Sequence, residues 1–187
     1  AGTLFALNRI HALGLDPSKL QEIAAQLGSD VPFCCVGGTA AGTGRGEILS
    51  PLPALPPAWV VLVHLPIHVS TAWVYNHPAL LKNPSPRIKG MTQKFAQLLS
   101  EFHNLPVSRV LYNSMESVIF NTFPEVKEAR EQLLCCPGVL GAGMSGSGPS
   151  LFAIFPDAST AQEATKTISY PTYVVPTLPR SIEWLEK

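Results

Sequence analysis

Asp30 stands where its type and surroundings suit chemistry best. It lies in residues 28–46, GSDVPFCCVGGTAAGTGRG, between Ser29 and a Val-Pro step and ahead of glycines at 37, 38, 42, 44 and 46. A carboxylate at a cleft edge accepts the proton of a substrate hydroxyl, the general-base step of a phosphoryl transfer. That step needs a cation to hold the incoming phosphate, and Arg45 is the nearest in sequence. The same residues also fit a plainer role. Aspartate in a turn bonds its own backbone, and an arginine in a glycine loop is often just solvated.

Three other groups have chemical potential. Residues 141–148, GAGMSGSG, place glycines where successive backbone N–H groups converge on an anion. The segment lacks the Gly-Lys-Ser/Thr ending of a Walker loop, and the strand expected after it excludes a dinucleotide fingerprint. A tight hairpin that needs positive φ explains the same glycines. Thr71, Trp73 and Tyr75 share a short helical segment, where an aromatic ring either stacks on a nucleobase or packs in the core. Asn113 and Glu116, three apart, either cap a helix start or line a site.

The elements that must position these residues follow from periodicity and punctuation. Leu4, Leu7 and Ile10 predict a helix over 3–13. Asp16 and Pro17 start a second, over 17–27, with Leu20, Ile23, Ala24 and Leu27 as its buried stripe and Gly28 as its stop. Pro32 disfavours helix at Val31, so residues 31–36 are expected to be a strand. Short strands at 39–42 and 47–49 bracket the glycine loop. Pro51, Pro53, Pro56 and Pro57 mark a domain boundary. Residues 59–65, WVVLVHL, read as a central strand. Helices follow near 71–76, 91–103, 113–120 and 124–134, with 83–86 as loop. Strands are expected at 139–142, 150–155 and 173–175, and a helix at 158–168. Strands interleaved with helices make the class α+β, and the last elements read as half of a split βαβ unit.

Composition narrows the function classes. Thirteen basic and thirteen acidic residues in 187 leave no footprint for nucleic acid or an anionic membrane. No apolar run approaches the ~20 residues of a membrane span. No signal peptide is visible. Cys34-Cys35 and Cys135-Cys136 lack zinc-ligand spacing, and the five histidines form no metal motif, so no metal site is expected and the thiols read as reduced packing residues of a cytosolic protein. The chain opens at Ala1 and runs straight into helix, which reads as a domain entered partway through.

In order and spacing, these segments resemble the GHMP small-molecule kinases over nearly the whole chain. Residues 28–33, GSDVPF, and 37–47, GGTAAGTGRGE, resemble the branch that acts on a cytidine diphosphate-linked methylerythritol. Residues 113–116, NSME, resemble that branch's N-D-L-E apart from Ser114, and residues 143–148, GMSGSG, match the family's third glycine-rich motif. The resemblance implies a partial N-terminal domain, an S5-like remnant over 1–55, and a ferredoxin-like substrate domain over 56–187. It implies transfer of phosphate from ATP, with Mg²⁺, to the 2-hydroxyl of 4-diphosphocytidyl-2-C-methyl-D-erythritol, in the cytoplasm or a plastid. Asp30 would be the catalytic base. Gly143, Ser145, Gly146, Ser147 and Gly148 would lie near the phosphates. Thr71 would hydrogen-bond the substrate, and Tyr75 would pack near the cytidine. Residues 1–8, AGTLFALN, resemble the helix that follows the family's phosphate loop; that loop and the catalytic lysine are absent. The 187 residues are therefore expected to be inactive alone. The alternatives are a homoserine- or mevalonate-type GHMP kinase and a non-catalytic binding module on the same fold.

Overall fold

The computed structural model describes residues 1–82, 107–109 and 111–180. The helix expected over 91–103 and the loop at 83–86 lie outside them. The described residues divide into two units: Ala1–Pro56 with 178–180, and residues 57–82, 107–109 and 111–177.

In the first unit, one side chain closes the turn between the opening helices. The Asn8 amide donates to the Leu15 carbonyl at 2.9 Å, and its oxygen accepts from the Leu15 N–H at 3.0 Å. Helix α1 (Gly2–Ile10) ends before this clasp, and α2 (Pro17–Leu27) begins after it. Asp16 caps α2 as the sequence predicts, accepting from the Lys19 N–H at 2.9 Å. The Ser18 hydroxyl and then this N–H hold the Asp16 carboxyl below its ordinary range. Leu20 and Ala24 are buried, whereas Leu27, expected in the same stripe, is exposed.

Residues 31–36 correct the sequence reading, for they form helix α3 (Val31–Val36) rather than a strand. Pro32 falls in the first turn, where its missing N–H has no intrahelical partner to lose. The Cys34 N–H bonds the Asp30 carbonyl at 3.2 Å. Gly37, at φ +69°, ends the helix. The antiparallel pair β1 (Ala40–Thr43) and β2 (Ile48–Pro51) follows, as expected.

Glu47 organises the turn between those strands. Its carboxylate accepts from the Arg45 N–H at 2.7 Å and pairs with Arg45 Nε at 3.8 Å. Gly44, at φ +72°, leaves room for it: a Cβ there would lie 3.0 Å from Glu47 Oε1. Hydrogen bonds from the Glu47 and Arg45 N–H groups hold the carboxyl below the ordinary glutamate range. A lowered folded-state value means that this contribution is present above the ordinary range and lost as pH falls through the folded value. The Arg45 amide resonance is therefore expected to titrate below ordinary glutamate and to stop titrating in Glu47→Gln. Titration at or above the ordinary value would contradict this.

The second unit is built on a four-stranded antiparallel sheet of order β4-β5-β3-β6. Its strands are β3 (Trp59–Val63), β4 (Gly141–Met144), β5 (Leu151–Phe155) and β6 (Thr172–Pro176). β3 is central as expected, pairing with both β5 and β6. With helices before β4 and before β6, this is the strand order of a ferredoxin-like βαββαβ unit. Helices α4 (Thr71–Tyr75), α5 (Pro78–Lys82), α6 (Glu116–Thr122), α7 (Pro124–Leu134) and α8 (Ala158–Thr165) complete its described helices. Val61, Val63, Leu151, Ala153 and Phe155 from one sheet face pack with Ile119, Val126, Ala129, Leu133, Ala161 and Ala164 from α6, α7 and α8. Side chains alternate across the pleat, so Leu62 points the other way and is 41% exposed. All four cysteines are free.

Candidate functional site

Asp30 sits at the head of α3 with helical backbone angles, φ −89° and ψ −16°. Its side chain makes no capping hydrogen bond and is exposed. The plainer role, a carboxylate consumed by its own turn, is thus not what this side chain does. It borders a hollow of about 310 Å³ lined also by Phe33, Cys34, Ala40, Gly42, Gly46 and Leu49. Gly46 keeps that side open, since a Cβ there would lie 4.0 Å from Asp30 Oδ1. Arg45, expected to serve as the cation, does not line the hollow and is held by Glu47.

The glycine-rich loop joins β4 to β5 and belongs to the second unit. The Ser145 N–H bonds the Ser150 carbonyl at 2.9 Å, and the Gly148 N–H bonds the Ser145 carbonyl at 3.0 Å. Gly146 and Gly148 both take positive φ, +55° and +75°, as the tight-turn explanation requires. The anion-binding explanation is also served. Among the described residues, no hydrogen bond engages the N–H groups of Gly146 and Ser147. Ser145 and Gly146 are exposed.

Gly148 is fixed by crowding as well as by φ, since a Cβ there would meet Met144 Sδ at 2.6 Å. Gly148→Ala is expected to cost about 2 kcal/mol or more of stability, combining left-handed strain with overpacking. Gly146→Ala, where the same test finds nothing within 4 Å, should cost about 1 kcal/mol, from strain alone. Urea midpoints compare the two, and equal losses would contradict the crowding argument.

Side chains brace the loop from three places. The Thr71 hydroxyl lies 2.8 Å from the Ser147 hydroxyl. The Asn113 amide donates to the carbonyls of Met144, at 2.9 Å, and Gly146, at 2.8 Å. Glu116 Oε1 accepts from the Met144 N–H at 2.9 Å, with Arg130 Nε 3.6 Å behind it. At Gly143 the tight approach is to the Phe152 ring, which a Cβ would meet at 3.2 Å, while Glu116 Oε1 would be in ordinary contact at 3.6 Å. Asn113 and Glu116 are the residues whose role the sequence understated. Their spacing pointed to capping of the helix start, but α6 has no side-chain cap at its N-cap Met115, and Asn113 Oδ1 instead caps the turn before it, accepting from the Met115 N–H at 2.9 Å. Their other partners lie about thirty residues away, where local spacing carries no signal.

Thr71 and Ser147 are thus brought together, and α4 is capped by Ser70, which accepts from the Trp73 N–H at 3.3 Å. Trp73 meets His77 and Phe123 edge-on, at centroid distances of 5.1 and 6.4 Å, so packing explains it. Tyr75 is 55% exposed. No group of three or more His, Cys, Asp or Glu side chains suited to a metal occurs among the described residues. No described helix is long and apolar enough to cross a membrane.

Residues 87–171, which include the braced glycine loop, match the C-terminal region of the GHMP kinase family (GHMP kinases C terminal). Within it, the likeness is to one enzyme in particular. The chain is 41% identical over 169 residues to 4-diphosphocytidyl-2-C-methyl-D-erythritol kinase of Gloeobacter violaceus, covering 87% of this chain and 54% of that protein. A crystal structure of 4-(cytidine 5'-diphospho)-2C-methyl-D-erythritol kinase superposes with a TM-score of 0.69 at 30% identity, covering 91% of this chain and 60% of that one. The chain spans about half the length of the curated relatives it matches. Homoserine kinase from Cytophaga hutchinsonii shares the fold, with a TM-score of 0.58 at 20% identity over 95% of this chain and 62% of that one.

Proposed function

We propose that these residues serve an ATP-dependent kinase that phosphorylates the 2-hydroxyl of 4-diphosphocytidyl-2-C-methyl-D-erythritol, a step in isoprenoid precursor synthesis. The observation that carries the proposal is the Asp30 carboxylate, uncapped and exposed beside an open hollow, in a chain 41% identical to an enzyme of that name. Asp30 takes the proton of the attacking hydroxyl or orients it. The amides of Gly146 and Ser147, with the Ser145 hydroxyl, receive phosphate oxygens. Thr71 and Tyr75 contact the acceptor, Tyr75 beside the cytidine. The first unit supplies the tail of a nucleotide-binding domain, and the second supplies the acceptor domain.

The described residues build no protein cage for Mg²⁺. A magnesium ion that rides on nucleotide phosphates needs only one or two carboxylates and would supply charge neutralisation there. The 187 residues alone are expected to give no turnover, because they lack the phosphate loop that the family resemblance implies.

ADP release by the full-length gene product, with Mg-ATP and each of three acceptors, tests the proposal. Turnover is expected with 4-diphosphocytidyl-2-C-methyl-D-erythritol, and homoserine and mevalonate should stay at background. Preference for either of those, or ATP binding without turnover on any acceptor, would overturn it.

A further inference from the structure

The loop between β4 and β5 contains two left-handed glycines and has exposed residues at its tip. Such a segment does not hold its amides in one direction unaided, because glycine populates both signs of φ. Asn113 supplies the missing constraint. A trans peptide is planar, so its N–H points opposite to its C=O. The Gly146 carbonyl is bonded to Asn113 Nδ2, which turns the N–H of the same peptide, that of Ser147, away from Asn113. That N–H has no partner among the described residues. The Met144 carbonyl is bonded by the same amide nitrogen, and Glu116 holds the Met144 N–H from the neighbouring position. Both hydrogens of one amide are therefore spent on the loop, while its oxygen is spent on the turn before α6.

We propose that Asn113 is a positioning residue that aims the Ser147 N–H at an anionic oxygen, with Glu116 fixing the strand end behind it. The proposal rests on the kinase reading for the identity of the anion, a nucleotide or substrate phosphate. The geometry asks only for a phosphate oxygen.

Asn113→Asp separates aiming from capping. Aspartate keeps the oxygen that bonds the Met115 N–H and is as good a capping residue as asparagine. It has no N–H to give and sets a negative charge against two carbonyls. A residue that only caps tolerates this change and suffers from Asn113→Ala. A residue that aims the loop suffers from both.

The readout is the ¹⁵N amide resonances of Gly146 and Ser147 in the full-length gene product, titrated with inorganic phosphate, with kcat and KM for Mg-ATP measured alongside. Wild-type loop amides are expected to shift saturably. Both variants should weaken that response about tenfold or more, the equivalent of one hydrogen bond left unmade. Asn113→Ser keeps a capping oxygen but offers one donor in place of two, and it replaces the aspartate variant if that does not fold, with the same expected loss. An Asn113→Asp or Asn113→Ser protein that binds phosphate as wild type does, or wild-type loop amides that ignore phosphate, would overturn the proposal. The phosphate titration judges the loop even if no acceptor is turned over, so failure of the kinase reading is seen separately, in the acceptor assay.

Discussion

Asp30→Asn in the full-length gene product is expected to lower phosphoryl transfer about 10²- to 10⁴-fold, the range lost when a positioned general base is removed. The change is nearly isosteric and removes the proton acceptor while leaving the shape. The structure indicates that the fold should not suffer. The carboxylate caps nothing, the Cys34 N–H bonds the backbone carbonyl of residue 30, and the side chain is exposed. The loss should therefore fall on kcat, with the melting temperature close to wild type. A variant that keeps near-normal turnover would assign Asp30 to orienting the hydroxyl rather than deprotonating it. A variant that loses stability in step with activity would make Asp30 structural.

Phe155→Ala is expected to have the largest effect on stability, about 3–5 kcal/mol, as for other buried phenylalanines truncated in a core. Phe155 is fully buried on the helix-facing side of β5, with Leu151 and Ala153 in line with it. Its neighbours are anchored on strands and helices and cannot collapse far into the space. Domains as a rule have only about 5–15 kcal/mol of stability in hand, so the variant should lose a large share of it. The glycine loop, which hangs between β4 and β5, should lose its phosphate response with it. Leu62→Ala on the opposite face, already 41% exposed, should cost less, about 1–2 kcal/mol, since part of that side chain's burial is already forgone. Urea unfolding of both variants measures the difference, and equal losses would mean that the outer face carries as much of the fold as the helix-facing one.

The sequence carried most of the second unit because local signals and tertiary structure agree there. Short β-type runs and the Pro124 start of α7 each punctuate an element that the structure keeps. It also carried the loop's tightness, since glycines at 146 and 148 have few other uses. Residues 31–36 were misread because two proline rules conflict. The residue before proline avoids helix, yet proline itself suits a first helical turn, and position within the helix decides. The run at 59–65 reads as a central strand, and it is one, but apolar content does not say which side of a pleat is covered, and Leu62 is exposed. Asn113 and Glu116 illustrate the harder limit. Their spacing shows only the local bond to Met115, while their bonds to Met144 and Gly146 exist only once β4 has been brought to α6. Proximity in sequence leaves Arg45 open between holding a phosphate and standing in solvent, and it does not show the pairing with Glu47, two residues on.

The activity proposed for this chain is transfer of a phosphoryl group onto the 2-hydroxyl of its acceptor. ³¹P NMR of the full-length gene product with Mg-ATP and 4-diphosphocytidyl-2-C-methyl-D-erythritol tests it most directly. The account predicts a new phosphomonoester resonance that grows as the ATP γ-signal falls, coupled to no other phosphorus, and that fails to appear with Asp30→Asn. ATP consumed with no phosphomonoester formed on the acceptor would contradict it, whereas the same resonance at the same rate from the Asp30 variant would leave the transfer standing and remove Asp30 as its base.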